Sequence, residues 1–394
     1  MWRRRASLRV GLGAAPYNAR VRVYLDHNAT TFPLPEVWEK VGELQSLALG
    51  NPSSIHQEGR LARRLVEEAR NRVAALLGAS PQEVVFTSGG TEANNMALWG
   101  LTRALGGPNG VRLYLGATEH PSVFSAAEAL ASLGAQVDVL PVDRQGLIRR
   151  EVLSEVRPPA VVCVQLANHE TGVLQPVSEL VAEVSRPGVL VHCDAVQAVG
   201  KVALSFRELG VHTLALSGHK IGGLPGVGAL LVREGLELPA FIPGEQELRR
   251  RGGTEPLVAI HALGWACHFL QERLGLWAKV GELRDHMEHI LKERIADLVI
   301  FGQGVPRVAN TSCLGLPAPL AGNVAVAALD LEGFAVSSGP ACSSGASLPS
   351  AVVRAMGFDD WAARTLRVSL GLTTQREEIE LFAEALEKIV ARSR

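Results

Sequence analysis

The residues best suited to chemistry cluster in residues 189–232, VLVHCDAVQAVGKVALSFRELGVHTLALSGHKIGGLPGVGALLV. One apolar run ends on Asp194, with Gln197 just beyond it, and a second ends on Ser217, Gly218, His219 and Lys220. A glycine-rich turn then leads into a third run over 227–232. Short apolar runs bounded by turn residues read as buried parallel strands. Ligands of open α/β sheets gather beyond the carboxyl ends of such strands, so Asp194 and Lys220 face one crevice. A lysine there has two readings. It is a solvated surface lysine, or it is a Schiff-base lysine holding pyridoxal phosphate (PLP), with Asp194 paired to the pyridine nitrogen. The second is chemically coherent. PLP is an electron sink only while its ring nitrogen stays protonated, and a buried carboxylate secures that. Ser217 and His219, just before the lysine, are then candidate phosphate donors.

The elements that must position these groups follow an alternating pattern. An apolar run at 84–86 leads into FTSGGTEANN, a strand, a glycine turn and a helix start. Exposed amides at a helix N-terminus bind phosphate, so Gly90 and Thr91 are candidates; the alternative is an ordinary turn capped by Ser88 or Thr91. The stretch lacks the GK[ST] of a nucleotide triphosphatase loop. A strand over 111–115 ends near His120, and another over 161–166 ends at Asn168, His169 and Glu170. His120 suits stacking on a flat ring or moving a proton, or is a turn histidine. Ser54 is a candidate cap for a helix running to Gly78. Farther on, Cys342 lies among small, flexible residues, either a nucleophile on a loop or an inert thiol. Arg367 has the fork for a substrate carboxylate, or forms a structural ion pair.

Composition narrows the classes. The chain of 394 residues is long enough for two domains, and 39 Lys+Arg against 40 Asp+Glu argue against a nucleic-acid surface. No apolar stretch approaches a membrane span. The 5 cysteines (163, 193, 267, 313, 342) include no CxxC pair, which argues against a zinc site or disulfide framework and for a reducing compartment. Residues 1–23 carry 6 arginines and no acidic residue, the composition of a disordered tail or a targeting segment. Strands alternating with helical patterns predict an α/β fold around a mainly parallel, doubly wound sheet.

Taken together, the motifs resemble those of the cysteine desulfurases, PLP enzymes of the class V aminotransferase superfamily. The resemblance spans about 24–391 and rests on YLD-x-x-ATT, GNPSS-x-H, FTSGGTEANN, EHPSV, N-x-ETG, H-x-DAVQA-x-GK, SGHK, RxGT, SSG-x-AC and R-x-SLG in that order. It implies fold type I of the PLP-dependent transferases. A large domain over 35–264 would hold a sheet of the seven-stranded type, flanked by helices. A smaller α+β domain would be formed by 24–34 and 265–394. Lys220 would bind the cofactor covalently, Asp194 would pair with the ring nitrogen and Gln197 with the ring oxygen. His120 would stack on the ring and shuttle protons. Gly90, Thr91, Ser217 and His219 would bind the phosphate, joined by Thr254 from a partner subunit, which implies a homodimer. Arg367, helped by Asn28, would hold the carboxylate of L-cysteine. Cys342 would take the sulfur as a persulfide, release L-alanine and pass the sulfur to an acceptor, for iron–sulfur clusters or thiolation. The implied location is the cytoplasm, with no metal, membrane or nucleic acid involved.

The chain departs from the family pattern at His169, where the family has an asparagine that touches the ring; His169 is expected to replace it as a donor to the ring oxygen. The turn after Lys220 lacks the usual tyrosine, and Pro340 stands where the family has serine. A selenocysteine or cystine lyase, an aminotransferase of the same fold, or a non-catalytic homologue are the alternative readings.

Overall fold

The computed structural model describes residues 22–339 and 348–394. In chain order the strands are β1 (Val23–Tyr24), β2 (Val84–Thr87), β3 (Arg112–Gly116), β4 (Gln136–Leu140), β5 (Ala160–Gln165), β6 (Val189–Asp194), β7 (Thr213–Ser217), β8 (Gly228–Val232), β9 (Val299–Phe301), β10 (Thr311–Gly315), β11 (Phe334–Ala335) and β12 (Thr365–Ser369). The helices are α1 (Pro35–Glu43), α2 (Gln57–Leu77), α3 (Gly90–Ala104), α4 (Pro121–Ala131), α5 (Val177–Val184), α6 (Phe206–Leu209), α7 (Leu257–Arg273), α8 (Trp277–Arg294), α9 (Gly322–Leu331), α10 (Ala351–Ala355) and α11 (Arg376–Ser393).

A seven-stranded sheet in the order β2-β8-β7-β6-β5-β3-β4 forms the centre, as fold type I requires. Every residue of β5, AVVCVQ, is buried, the composition of a strand covered on both faces. Because side chains alternate across a strand, Val161 and Cys163 face a core built with α3 and α4, while Val162 and Val164 face one built with α2, α5 and α7. The third apolar run does not continue the parallel pattern: β8 is antiparallel to both β7 and β2. Only a short turn joins β7 to β8, and a parallel pair needs a crossover of a dozen or more residues.

Helix α2 starts two residues later than a Ser54 cap would allow. His56 is its N-cap and its ring nitrogen accepts from the Gly59 amide at 3.3 Å; Gly78 ends it in the left-handed conformation. A separate core gathers β10 and its antiparallel neighbours β9 and β12 with α8, α9 and α11. Val23 and Leu25 belong to this second core. The 264/265 boundary falls inside α7, whose Ala266, Cys267 and Leu270 pack in the first core. We propose a division at the α7–α8 junction instead, with the 24–34 segment bridging the two cores.

Candidate active site

The strand ends converge on one cleft. Asp194 closes β6, Ser217 closes β7, Lys220 follows in a single 3-10 turn, and Gly90 and Thr91 open α3. His120 is the N-cap of α4, and Arg367 reaches in from β12 of the second sheet. The cleft encloses about 790 Å³ out to its open mouth and is lined by these residues together with Asn28, His169, Gln197 and His219. Thr254 is not among its lining residues; it lies exposed beyond a glycine pair. Cys342 lies outside the described residues.

Each polar group is held by partners that fix its orientation. Asp194 Oδ2 accepts from Asn94 Nδ2 at 2.8 Å and Oδ1 from the Val196 amide at 2.9 Å. Asn94 Oδ1 in turn faces His192 Nε2 at 3.0 Å, and His192 Nδ1 faces the Thr213 hydroxyl at 2.9 Å. Burial lowers the His192 pKa to about 4, so the ring is neutral at neutral pH. A neutral ring that accepts the Thr213 hydroxyl at Nδ1 carries its proton on Nε2 and donates to Asn94, which turns the Asn94 NH2 toward Asp194. His120 Nδ1 accepts the Ser122 amide at 3.1 Å, which leaves Nε2 as the nitrogen turned to other partners.

Lys220 Nζ donates to the carbonyls of Asn28 and Ala29 at 2.6 and 2.7 Å. The Asn28 side chain faces inward: Nδ2 donates to Thr311 Oγ1 at 2.8 Å, and Oδ1 accepts from Lys201 Nζ at 2.9 Å and Asn310 Nδ2 at 3.0 Å. Arg367 pairs with Asp26 at 2.7 Å and donates to the His169 carbonyl at 3.1 Å, while its Nε is buried without a hydrogen-bond partner. The His169 ring meets the His120 ring edge-on, with centroids 5.5 Å apart, and its buried Nδ1 has no partner. Burial holds the His169 pKa well below the usual histidine range, and His120, Arg367 and Lys220 push it the same way. His219 is likewise lowered, to about 4, by burial and by Lys220.

Asn94, Ser122, Gln165, Asp26 and Lys201 complete or support the cleft and were not singled out by sequence reasoning. Asp26, Asn94, Ser122 and Lys201 stand inside the motifs above, so motif membership is their available signal. Gln165 carries no spacing that marks it. Cys163, Cys193, Cys267 and Cys313 are free and buried. Burial raises all four thiols, Cys267 to about 12, so none of them is a ready nucleophile. Among the described residues no metal-binding cluster occurs, and no helix is long and apolar enough to cross a membrane.

The donor set fits a flat, phosphate-bearing aromatic group such as PLP. The first-turn amides of α3 have no intrahelical acceptor and sit beside the Ser217 hydroxyl and His219. Gly90 is needed there for close approach, because a Cβ would meet Val196 Cγ2 at 2.8 Å. The remaining space is lined by Lys220, Asp194, His169 and Arg367, the last two each carrying a buried nitrogen without a hydrogen-bond partner.

A sheet of this topology with a lysine and an aspartate at adjacent strand ends defines the class of PLP-fold transferases, and the family model for aminotransferase class V matches residues 23–382. The chain is 36% identical over 377 residues to a cysteine desulfurase of Dictyoglomus turgidum, covering 94% of this chain and 95% of that one. A cysteine desulfurase of Bradyrhizobium diazoefficiens is 37% identical over 381 residues, covering 95% and 96%. Among solved structures, a NifS-like protein superposes with a TM-score of 0.87 at 30% identity over 94% of this chain and 100% of that one. A NifS-like protein from Rickettsia africae gives 0.84 at 32% identity over 93% and 99%. A structure described as SspA in complex with cysteine gives 0.77 at 30% identity over 88% and 98%. The chain belongs to the class V aminotransferase family and, within it, to the cysteine desulfurases.

Proposed function

We propose that this chain is a PLP-dependent cysteine desulfurase. It would convert L-cysteine and its own Cys342 thiolate into L-alanine and a Cys342 persulfide. The thiolate attacks the substrate sulfur, an S–S bond forms as the C–S bond breaks, and the carbon left behind is protonated and leaves as alanine. A second thiol, on an acceptor for iron–sulfur cluster assembly or thiolation, would then take the outer sulfur. The bound cofactor supplies an electron sink for the substrate carbon skeleton.

The residues of the chain take the other roles. Lys220 supplies the amine that joins the cofactor aldehyde, and the Asn28 and Ala29 carbonyls hold that amine in the cleft. Asp194, fixed by Asn94, keeps a proton on the ring nitrogen. Gly90, Thr91, Ser217 and His219 hold the phosphate, with Thr254 of a second copy, so the working form is a homodimer. His120 stacks on the ring and moves protons through Nε2. Gln197 and His169 donate to the ring oxygen, and His169 stands in for the family's asparagine. Arg367 takes the substrate carboxylate; Asn28, expected to help it, has its side chain bound to Lys201, Asn310 and Thr311 and positions Lys220 through its carbonyl instead. The four buried thiols leave Cys342 as the sulfur carrier.

The reading rests on the meeting of Lys220, Asp194, His120 and Arg367 in one cleft under the α3 N-terminus. Its test is alanine release from L-cysteine with PLP and a thiol reductant. Wild type should release alanine, and Lys220→Ala and Cys342→Ala should release little. Equal release by Cys342→Ala and wild type points to a lyase that does not use Cys342, and no release from any protein overturns the reading.

A further inference from the structure

Lys201 is a buried amine that the proposed reaction does not use. It is 6% exposed and reaches two amide oxygens, Gln197 Oε1 at 2.8 Å and Asn28 Oδ1 at 2.9 Å. Both amides matter to the site. Gln197 lines the cleft, and the Asn28 carbonyl accepts from Lys220 Nζ and from Gln197 Nε2 at 3.0 Å.

A carboxamide has two ends of nearly equal shape but opposite polarity, and its neighbours decide which end faces where. A lysine amine donates, so the oxygen of Gln197 must face Lys201. Its NH2 then faces the other way. One N–H goes to the Asn28 carbonyl, and Gln197 itself lines the cleft. The same logic fixes Asn28: with Oδ1 held by Lys201 and Asn310, Nδ2 turns to Thr311.

We propose that Lys201 is a positioning residue that sets the polarity of Gln197, so that a cofactor ring oxygen meets a donor. The proposal rests on the PLP reading above. Burial, reinforced by Lys220 and Arg367, holds the Lys201 pKa well below the usual lysine range. The role survives that shift, since a neutral amine has two N–H groups for its two amide oxygens.

The test uses the full-length chain loaded with PLP and follows the pH midpoint of its visible absorption band. A donor to the ring oxygen favours the deprotonated form, so its loss raises the midpoint. Lys201→Met and Gln197→Ala are each expected to raise it by roughly half a unit to one unit. The double variant should show no further rise, because both changes remove the same hydrogen bond. Lys201→Gln keeps an N–H donor and should stay near wild type; it carries the test if Lys201→Met does not fold. Additive shifts overturn the proposal, since they mean that Lys201 acts only through its charge. So does a lowered melting temperature of Lys201→Met with an unmoved midpoint, or a Lys201→Gln midpoint displaced as far as that of Gln197→Ala. A wild-type chain that gives no visible band overturns the PLP reading itself and this proposal with it.

Discussion

Arg70 and Glu247 form a buried pair whose loss should be one of the larger single-site destabilisations in the chain. The Arg70 fork donates to Glu247 at 2.9 and 2.8 Å and to the Val84 carbonyl at 2.7 Å, and the Phe86 amide donates to the same carboxylate at 2.8 Å. The two side chains are 9% and 2% exposed. Glu247 opens a turn in which Glu247, Leu248 and Arg249 all take left-handed φ values of 49°, 56° and 61°. Each costs about 1–2 kcal/mol for a residue with a Cβ, so the pair must hold the turn against its own strain. Arg70→Met leaves the carboxylate buried with one amide donor, and breaking a buried pair in this way costs about 3–5 kcal/mol. An exposed pair would give about 0–1 kcal/mol, so the two cases are well separated. The assay is urea unfolding followed by circular dichroism, read as a lowered midpoint at unchanged slope. In Arg70→Met/Glu247→Leu no charge is stranded, and the residual loss should fall to about 1–3 kcal/mol, for the unpaired Phe86 amide. A loss below about 1 kcal/mol in the single variant, or a double variant less stable than the single, would refute the reasoning.

Three further outcomes are expected. In the PLP-loaded protein His169→Asn should preserve the visible band, while His169→Ala should shift it; unchanged spectra in both would remove His169 from the cofactor's surroundings. His27 and His192 have folded pKa values lowered to about 4, chiefly by burial. The unfolded chain therefore binds more protons between the ordinary histidine pKa and that value, and stability should fall as pH drops through this window. His192→Gln should flatten that part of a melting-temperature profile. Glu119 runs the other way: burial and Asp194 raise its carboxyl well above the usual range, so the folded state holds a proton that the unfolded state releases. Stability should decline as pH rises above the ordinary carboxylate pKa, and Glu119→Gln, which keeps an acceptor for the Gln165 amide, should be the more stable protein at pH 8 by thermal melting.

The strands were legible because a strand buried on both faces leaves a continuous apolar run, as in β5 and β6. The direction of β8 was not, since direction depends on the path of the turn after Lys220 and the run 227–232 reads alike either way. Asp194, Lys220 and His120 could be placed because each follows a strand and so must stand at a sheet edge. Asn94 could not, because an asparagine in the first turns of a helix reads as an ordinary polar residue until His192 and Asp194 are seen on either side of it. Arg367 has two readings in the sequence, a substrate-carboxylate fork or a structural ion pair, and the structure shows the ion pair, with Asp26. Thr254 lies exposed and apart from the cleft, and a role at the phosphate of a second copy is a property of an assembly that one chain cannot express.

The Asn28 junction also sets an order of events during synthesis. Asn28 emerges from the ribosome early, yet its amide waits for Asn310 and Thr311, and its backbone N–H waits for the Ser369 hydroxyl, 341 positions later. Lys220 is translated midway; the Asn28 carbonyl that frames its amine already has Gln197 as a partner by then, but Asn28 gains its last anchors only when that last sheet closes. A nascent chain can therefore build most of the central sheet before the Asn28 segment has all its anchors. A chain truncated ahead of β12 would lack Arg367 and the Ser369 partner of Asn28, even where every cleft residue up to Lys220 is present.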